Sequence, residues 1–353
     1  MHAHPLAATH ERSPSPLAST LLVKWLNRIV VVGFGAWAIL LFAFSFIATD
    51  LARALNPYAN YLVMLSIFSM GLTLDGRDFL RVIRQPRGIV TILISDYLVA
   101  TIAAWIAGML VYILLMNNPT LFVGQILQGA GPGGAASAIQ TWVGRGDAAL
   151  TVSATAVDTL VAPLLLPLVT WLFAGAFVQV PVLEMVVQTA QLAVLPVLAA
   201  LIIKRLATPQ IAYIEPVLPA AGVLCLWPVF PAILAPAVPV LLRQLEIIPL
   251  VALAGTIQVG IAAVLAYFVG ALAGVGEAQR RSIMFDTTTQ NSGLVAVLAA
   301  ANFGPLAVVP AAVYAVIMNV FSFALAGYYR ANPDARLPGV AMLRRVFPWV
   351  RED

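Results

Sequence analysis

Ile283-Met-Phe-Asp-Thr-Thr-Thr-Gln-Asn-Ser-Gly-Leu-Val-Ala-Val-Leu298 sets eight polar or small residues, Asp286 to Gly293, between two apolar flanks. The surrounding chain is 61% hydrophobic and only 10% charged over 353 residues. Soluble domains are roughly 45–50% apolar and about 25% charged, and a mean hydropathy of +0.96 asks for a lipid-like solvent. That composition excludes both an ordinary soluble enzyme and a disordered chain. At membrane depth, backbone groups freed by a helix break have to be satisfied by protein or line a cavity. The stretch therefore reads as a broken membrane helix that forms a binding site. Its Asp, Thr and Gln oxygens, with free carbonyls, suit a hard cation.

A second interruption is Gly129-Ala-Gly-Pro-Gly-Gly134. It matches the GxGxxG pattern, but a dinucleotide site needs a preceding strand in a soluble βαβ unit, which this composition does not provide. Around the two breaks the apolar runs number ten: 28–49, 57–74, 88–116, 119–144, 148–175, 182–203, 212–236, 246–274, 278–303 and 306–329. Each is near the roughly 20 residues a crossing requires. Ile29 to Thr49 is uncharged and longer than the about 7–15 apolar residues of a secretory signal, so it is read as the first crossing. Residues 1–27 and 331–353 are polar tails flanking a transmembrane domain, 28–330.

Ten crossings place both termini on one side, and the charges agree. Of the 19 Lys and Arg residues, 17 fall on that side, including Arg77, Arg81, Arg84 and Arg87; only Arg53 and Arg243 fall on the other. The positive-inside rule makes the shared side cytoplasmic. The net charge of +4 is thus a topology signal rather than a sign of nucleic-acid binding. Cys225 is the only cysteine, and His2, His4 and His10 all lie in the N-terminal tail. This excludes an internal disulfide, a thiolate cluster and a histidine relay within the membrane.

Residues 136–174 align without gaps on 291–329 at an offset of 155, with Ser137 on Ser292 and Asp147 on Asn302. Both segments run from a break, through a short helix and a turn, into a long helix. Five crossings per half invert the second repeat (about 182–330) relative to the first (about 28–175). Inverted repeats with broken helices are the pattern of secondary transporters.

Three carboxylates, Asp96, Asp158 and Asp286, interrupt apolar runs; those of Asp96 and Asp158 contain no Lys or Arg, and that of Asp286 has Arg280 and Arg281 only at its start. Each costs about 2.5–3.5 kcal/mol at the membrane centre, so a bound cation or a proton is expected to neutralise them. Thr151, Thr155 and Asp158 follow i, i+4, i+7 spacing and share one face of the fifth crossing. Asn319 and Ser322 lie one turn apart on the tenth.

The strings Phe68-Ser-Met-Gly-Leu-Thr-Leu74, Gly131-Pro-Gly-Gly-Ala-Ala-Ser137 and Gln290-Asn-Ser-Gly-Leu294 resemble the bile acid:sodium symporter family, in a bacterial member, over about residues 30–330. Arsenite exporters and plant auxin carriers agree less well in these motifs. The resemblance implies an all-α fold of ten crossings. Crossings 1, 2, 6 and 7 would form a panel domain and 3–5 and 8–10 a core domain, with crossings 4 and 9 broken and crossing each other. It implies two sodium sites. The first matches Ser137, Thr151, Thr155 and Asp286; the second matches Asp286, Thr287, Thr289, Gln290 and, at a glutamine position, Asp96. Asn291 and Asn319 match substrate contacts.

Besides Asp96 at that glutamine position, the chain departs from the family pattern in three places. Ala138 stands where an asparagine ligand is usual, Asp286 where a glutamate is, and Asp158 where a small hydroxyl residue is. The expectation is sodium-coupled import of an organic anion by alternating access, in the bacterial inner membrane with both termini cytoplasmic. Na+ is the coupling ion, with H+ through Asp96, Asp158 or Asp286 as the alternative. A non-transporting membrane sensor and a cysteine-dependent arsenite exporter are the other classes. Membrane lipids and a small-molecule anion are the expected partners, nucleic acid is not, and neither the substrate nor the oligomeric state is specified.

Overall fold

The computed structural model describes residues 20–27, 29–30, 33–115, 118–340, 343, 347 and 349–350. The three histidines, Glu352 and Asp353, and five of the arginines that entered the charge count, Arg12, Arg28, Arg344, Arg345 and Arg351, lie outside these residues. The described residues are helical, with no strand and one isolated bridge.

In chain order the helices are α1 (Leu21–Asn27), α2 (Phe34–Ile47), α3 (Thr49–Gly71), α4 (Gly76–Arg84), α5 (Pro86–Leu114), α6 (Pro119–Gly129) and α7 (Ala136–Val143). Then follow α8 (Ala148–Ala174), α9 (Val182–Leu206), α10 (Thr208–Arg243), α11 (Ile247–Leu272), α12 (Glu277–Thr288), α13 (Ser292–Phe303) and α14 (Pro305–Ala331). Six of them, α5, α8, α9, α10, α11 and α14, are long and apolar enough to cross a membrane; α2 and α3, bent by 103° at their junction, make a seventh if taken as one span. The ten apolar runs map onto these helices in order, but by length and composition the number of spans is six or seven. The shortfall has two physical reasons: the fourth and ninth runs are each two half-helices too short to span alone, and the helices of the first two runs, α2 and α3, meet at a sharp bend and count as one span at most.

Local chemistry sets the boundaries. Asn118 caps α6, its Oδ1 accepting from the Thr120 and Leu121 amides. Asp147 and Asn291 cap α8 and α13 through the amides of Leu150 and Leu294. Pro132 and its glycine neighbours stop α6. α1 falls in what reads from sequence as a polar tail, and Leu26 packs beside Val223 of α10. At the other end, Arg281 Nη2 donates to the Pro333 and Ala335 carbonyls at 2.7 and 2.9 Å, and Trp349 Nε1 to Leu272 O at 3.0 Å. The segment after α14 is thereby laid across α11 and α12.

The main core joins Ile67 of α3, Phe122 and Ile126 of α6, Val197 of α9 and Leu294 and Leu298 of α13. α5 and α6 touch backbone to backbone at Gly129, where a Cβ would lie 2.3 Å from Ala104 Cβ and 2.8 Å from Ala100 O. Gly129→Ala is expected to cost about 1–3 kcal/mol through overpacking, read as a lowered melting temperature of the purified protein.

Candidate functional site

The two breaks meet. α6 ends at Gly129 and α7 begins at Ala136, while α12 ends at Thr288 and α13 begins at Ser292. The extended residues between them pair antiparallel at Gly133 and Gln290. Gly134 N donates to Thr289 O at 2.7 Å and Asn291 N to Pro132 O at 2.8 Å. Amides and carbonyls freed by one break are thus satisfied by the other, which is how irregular backbone survives at this depth. Side chains strengthen the join. Gln290 Nε2 donates to Gly129 O at 2.8 Å, and Gln128 Nε2 to Gln290 Oε1 at 3.2 Å.

The three carboxylates converge on this crossing from α5, α8 and α12, all fully buried and each within electrostatic range of the others. Asp286 Oδ1 accepts from Thr155 Oγ1 at 3.1 Å. Ser137 stands beside the same carboxylate, yet neither Ser137 Oγ nor Asp286 Oδ2 has a hydrogen bond of good geometry. Asp96 sits in a π-helical turn, Ser95–Val99, that interrupts α5; such turns are frequent at functional sites. Its Oδ1 accepts from Thr287 Oγ1 at 2.8 Å, and its Oδ2 has no partner. Asp158 Oδ2 accepts from the amide of Gly133, and its Oδ1 has no partner. Tyr97 donates to the Asp158 carbonyl at 3.2 Å.

Among the described residues no Lys or Arg pairs with any of the three; the ion pairs present involve only Asp75, Glu215 and Glu277 as acids. Arg281 of α12 is held by Glu277, by backbone carbonyls and by the Tyr329 ring. Nor is there, among those residues, a group of three or more His, Cys, Asp or Glu able to hold one metal ion. What the crossing offers is hydroxyl, carbonyl and single carboxylate oxygens, a donor set for a hard monovalent cation rather than a transition metal.

The sequence-predicted residues divide. Ser137, Thr155 and Asp286 come together, and Asp96 with Thr287. Thr151 lies one turn away, bonded to Thr141 Oγ1 at 3.1 Å. Thr289 turns its hydroxyl to Gln140 and Ser322 rather than to a carboxylate. Asn319 Oδ1 accepts from Gln140 Nε2 at 3.3 Å. Gln128 and Gln140 were not singled out from sequence, although both are uncharged polar residues flanking a helix break inside an apolar run.

A cavity of about 190 Å³ opens beside the crossing. Met70 of α3, Leu74 of the turn after it, Val197 of α9 and Pro219 of α10 face Ser137, Ala138, Thr155 and Asn291 across it. A smaller one of about 40 Å³ shares Met70, Gly134 and Asn291 with it and reaches Asn319. No charged residue lines either. The N-terminal ends of α7 and α13, at Ala136 and Ser292, border the smaller one.

Residues 60–259 match the model of the sodium bile acid symporter family. An uncharacterized sodium-dependent transporter, YocS, of Bacillus subtilis is 29% identical over 318 residues, covering 90% of this chain and 97% of its own. A probable chloroplastic sodium/metabolite cotransporter of Arabidopsis thaliana, BASS1, is 29% identical over 77% of this chain and 67% of its own. A probable chloroplastic sodium/metabolite cotransporter of Oryza sativa subsp. japonica, BASS2, is 30% identical over 75% of this chain and 62% of its own.

Proposed function

The chain belongs to the sodium bile acid symporter family, and on that premise we propose that this multi-pass membrane protein is a secondary transporter that carries an organic anion together with Na+. The observation that carries the reading is the join of two broken helices around three buried carboxylates that have no cationic side chain beside them. Burying an uncompensated charge costs several kcal/mol. Sodium at the crossing supplies the missing charge.

One sodium is held by Asp286 with Ser137 and Thr155, with Thr151 in the next shell of hydroxyls. The other is held by Asp96, Asp286 and Thr287, with Gln290 and Thr289 fixing the break around it. Asp158 holds the Gly133 amide in place. The C-terminal ends of the half-helices α6 and α12 favour cations and the N-terminal ends of α7 and α13 favour anions. The substrate's negative group is therefore placed near Asn291 and Asn319, and its apolar body in the larger cavity. Ala138 on that wall offers no oxygen, which moves the burden of ion binding toward Asp96.

The chain makes ten crossings in two inverted repeats. The six long helices span, α2 and α3 each span across their bend, and α6–α7 and α12–α13 each span as a broken pair. α2, α3, α9 and α10 form the panel and the remaining crossings the core. The larger cavity lies between the two groups, which suits alternating access by rocking of one against the other. Residues 28–330 form the transport domain, with both flanking segments cytoplasmic and the protein in a bacterial inner membrane.

The testing experiment is thermal stability of the purified protein across a sodium titration, with choline holding ionic strength constant. Binding to the folded state raises stability by about 2.7 kcal/mol at a hundredfold excess over Kd, so a saturable, sodium-specific rise is expected. A flat response to sodium, with uptake driven instead by a pH gradient in sodium-free buffer, would replace Na+ by H+ in this scheme.

A further inference from the structure

α4 takes no part in the transport site, yet it links α3, whose end lines the larger cavity, to α5, which carries Asp96. At 3.6 residues per turn, positions 81 and 84 lie about 60° apart, and positions 80 and 83 lie about 60° apart on the adjoining flank of the helix. The two described apolar residues of that flank are bare: Leu80 is 52% and Ile83 78% exposed. Arg84 and Arg87 are exposed as well, and Arg81 half-buried.

The carboxylates of this turn are already engaged. Lys204 Nζ lies 2.9 Å from Asp75 Oδ1, and Asp78 Oδ2 accepts from the Asp75 amide at 2.7 Å. Among the described residues no carboxylate pairs with Arg81, Arg84 or Arg87. A bare isoleucine beside uncompensated arginines, on a short helix joining two membrane helices, is the composition of a helix lying in the headgroup layer.

We propose that α4 binds anionic phospholipid, with Arg81, Arg84 and Arg87 on headgroup phosphates and Leu80 and Ile83 against the acyl chains. A free phosphate would engage the arginines alone; the exposed apolar pair argues for lipid. Because Thr73 and Leu74 line the larger cavity immediately before α4, the bound lipid holds that wall of the cavity in the membrane plane.

The test uses the full-length protein in neutral detergent, titrated with phosphatidylglycerol, phosphatidylcholine or glycerol phosphate while melting temperature is followed. A saturable rise is expected with phosphatidylglycerol only, weakened by salt. R81Q/R84Q/R87Q is expected to raise the half-saturating lipid concentration on the order of a hundredfold, at roughly fivefold per arginine. R84Q and R87Q alone, at exposed positions, give the fivefold step if the triple variant does not purify. Equal shifts with phosphatidylcholine, a shift reproduced by glycerol phosphate, or substituted protein that retains the wild-type lipid response would overturn the proposal. Lipid binding is read without transport, so its failure is distinct from failure of the sodium-coupled reading.

Discussion

Asp286→Asn is expected to abolish sodium-dependent uptake while leaving the protein folded. Asparagine matches aspartate in shape, and its Oδ1 still accepts from Thr155, which donates at 3.1 Å in the wild type. What disappears is the negative charge facing Ser137 and the crossing. Removing one member of a buried charge pair costs about 3–5 kcal/mol, so the sodium requirement should rise by roughly two to four orders of magnitude. The sign in the absence of sodium is the discriminating part. Asp286 is fully buried with Oδ2 unpartnered, so the charge is a liability in the ion-free protein. The melting temperature of Asp286→Asn in choline should therefore equal or exceed that of the wild type, while the rise on adding sodium is lost. Uptake assays in proteoliposomes, with melting curves in both salts, check the two halves. A variant that melts lower in choline has lost structure rather than an ion ligand. A variant that keeps sodium-dependent uptake removes Asp286 from the site.

The positions of the breaks were legible because glycine, proline and an unbroken polar run are costly inside apolar helices, and their cost is visible in one dimension. The face shared by Thr155 and Asp158 was legible for the same reason, since helical spacing alone puts them on one stripe. The partners were not. Nothing in the sequence marks the Gly133 amide as the donor to Asp158, because every residue except proline carries such an amide and only the join of the two breaks leaves this one to be satisfied. Gln128 and Gln140 escaped notice because neutral amides carry no charge penalty to draw attention, yet they bond Gln290, Thr289 and Asn319. The π-helical turn at Asp96 has no local signature either; one extra residue in a turn changes which face a carboxylate occupies without changing composition. α1 was hidden by the polarity around it, and its burial against α10 is a tertiary effect.

The second large effect is expected from a single methyl group at the crossing. A Cβ on Gly134 would lie 2.8 Å from Gln290 O, 3.0 Å from its carbonyl carbon and 3.2 Å from Thr289 O. All three are backbone atoms held by the bonds Gly134 N to Thr289 O and Asn291 N to Pro132 O, so no flexible side chain is available to yield. Gly134→Ala must push the breaks apart, at a cost of about 1–3 kcal/mol. Thr287, Thr289 and Gln290 belong to the displaced segment, so the ion site moves with the backbone. Uptake is expected to fall tenfold or more, with the half-saturating sodium concentration raised and the melting temperature lowered. Gly133→Ala separates these effects, because its Cβ would meet the Asp286 carboxylate at 3.0–3.2 Å and not the opposing backbone. The clash falls on a side-chain carboxylate of the ion site rather than on backbone, so Gly133→Ala should raise the sodium requirement more than it lowers stability. Gly260→Ala on α11, with no atom within 4 Å of the added methyl, should leave both unchanged. If Gly134→Ala transports like Gly260→Ala, the crossing is not the element that ties ion binding to transport, because a rigid join displaced by several tenths of an ångström could not hold the same ligands in place.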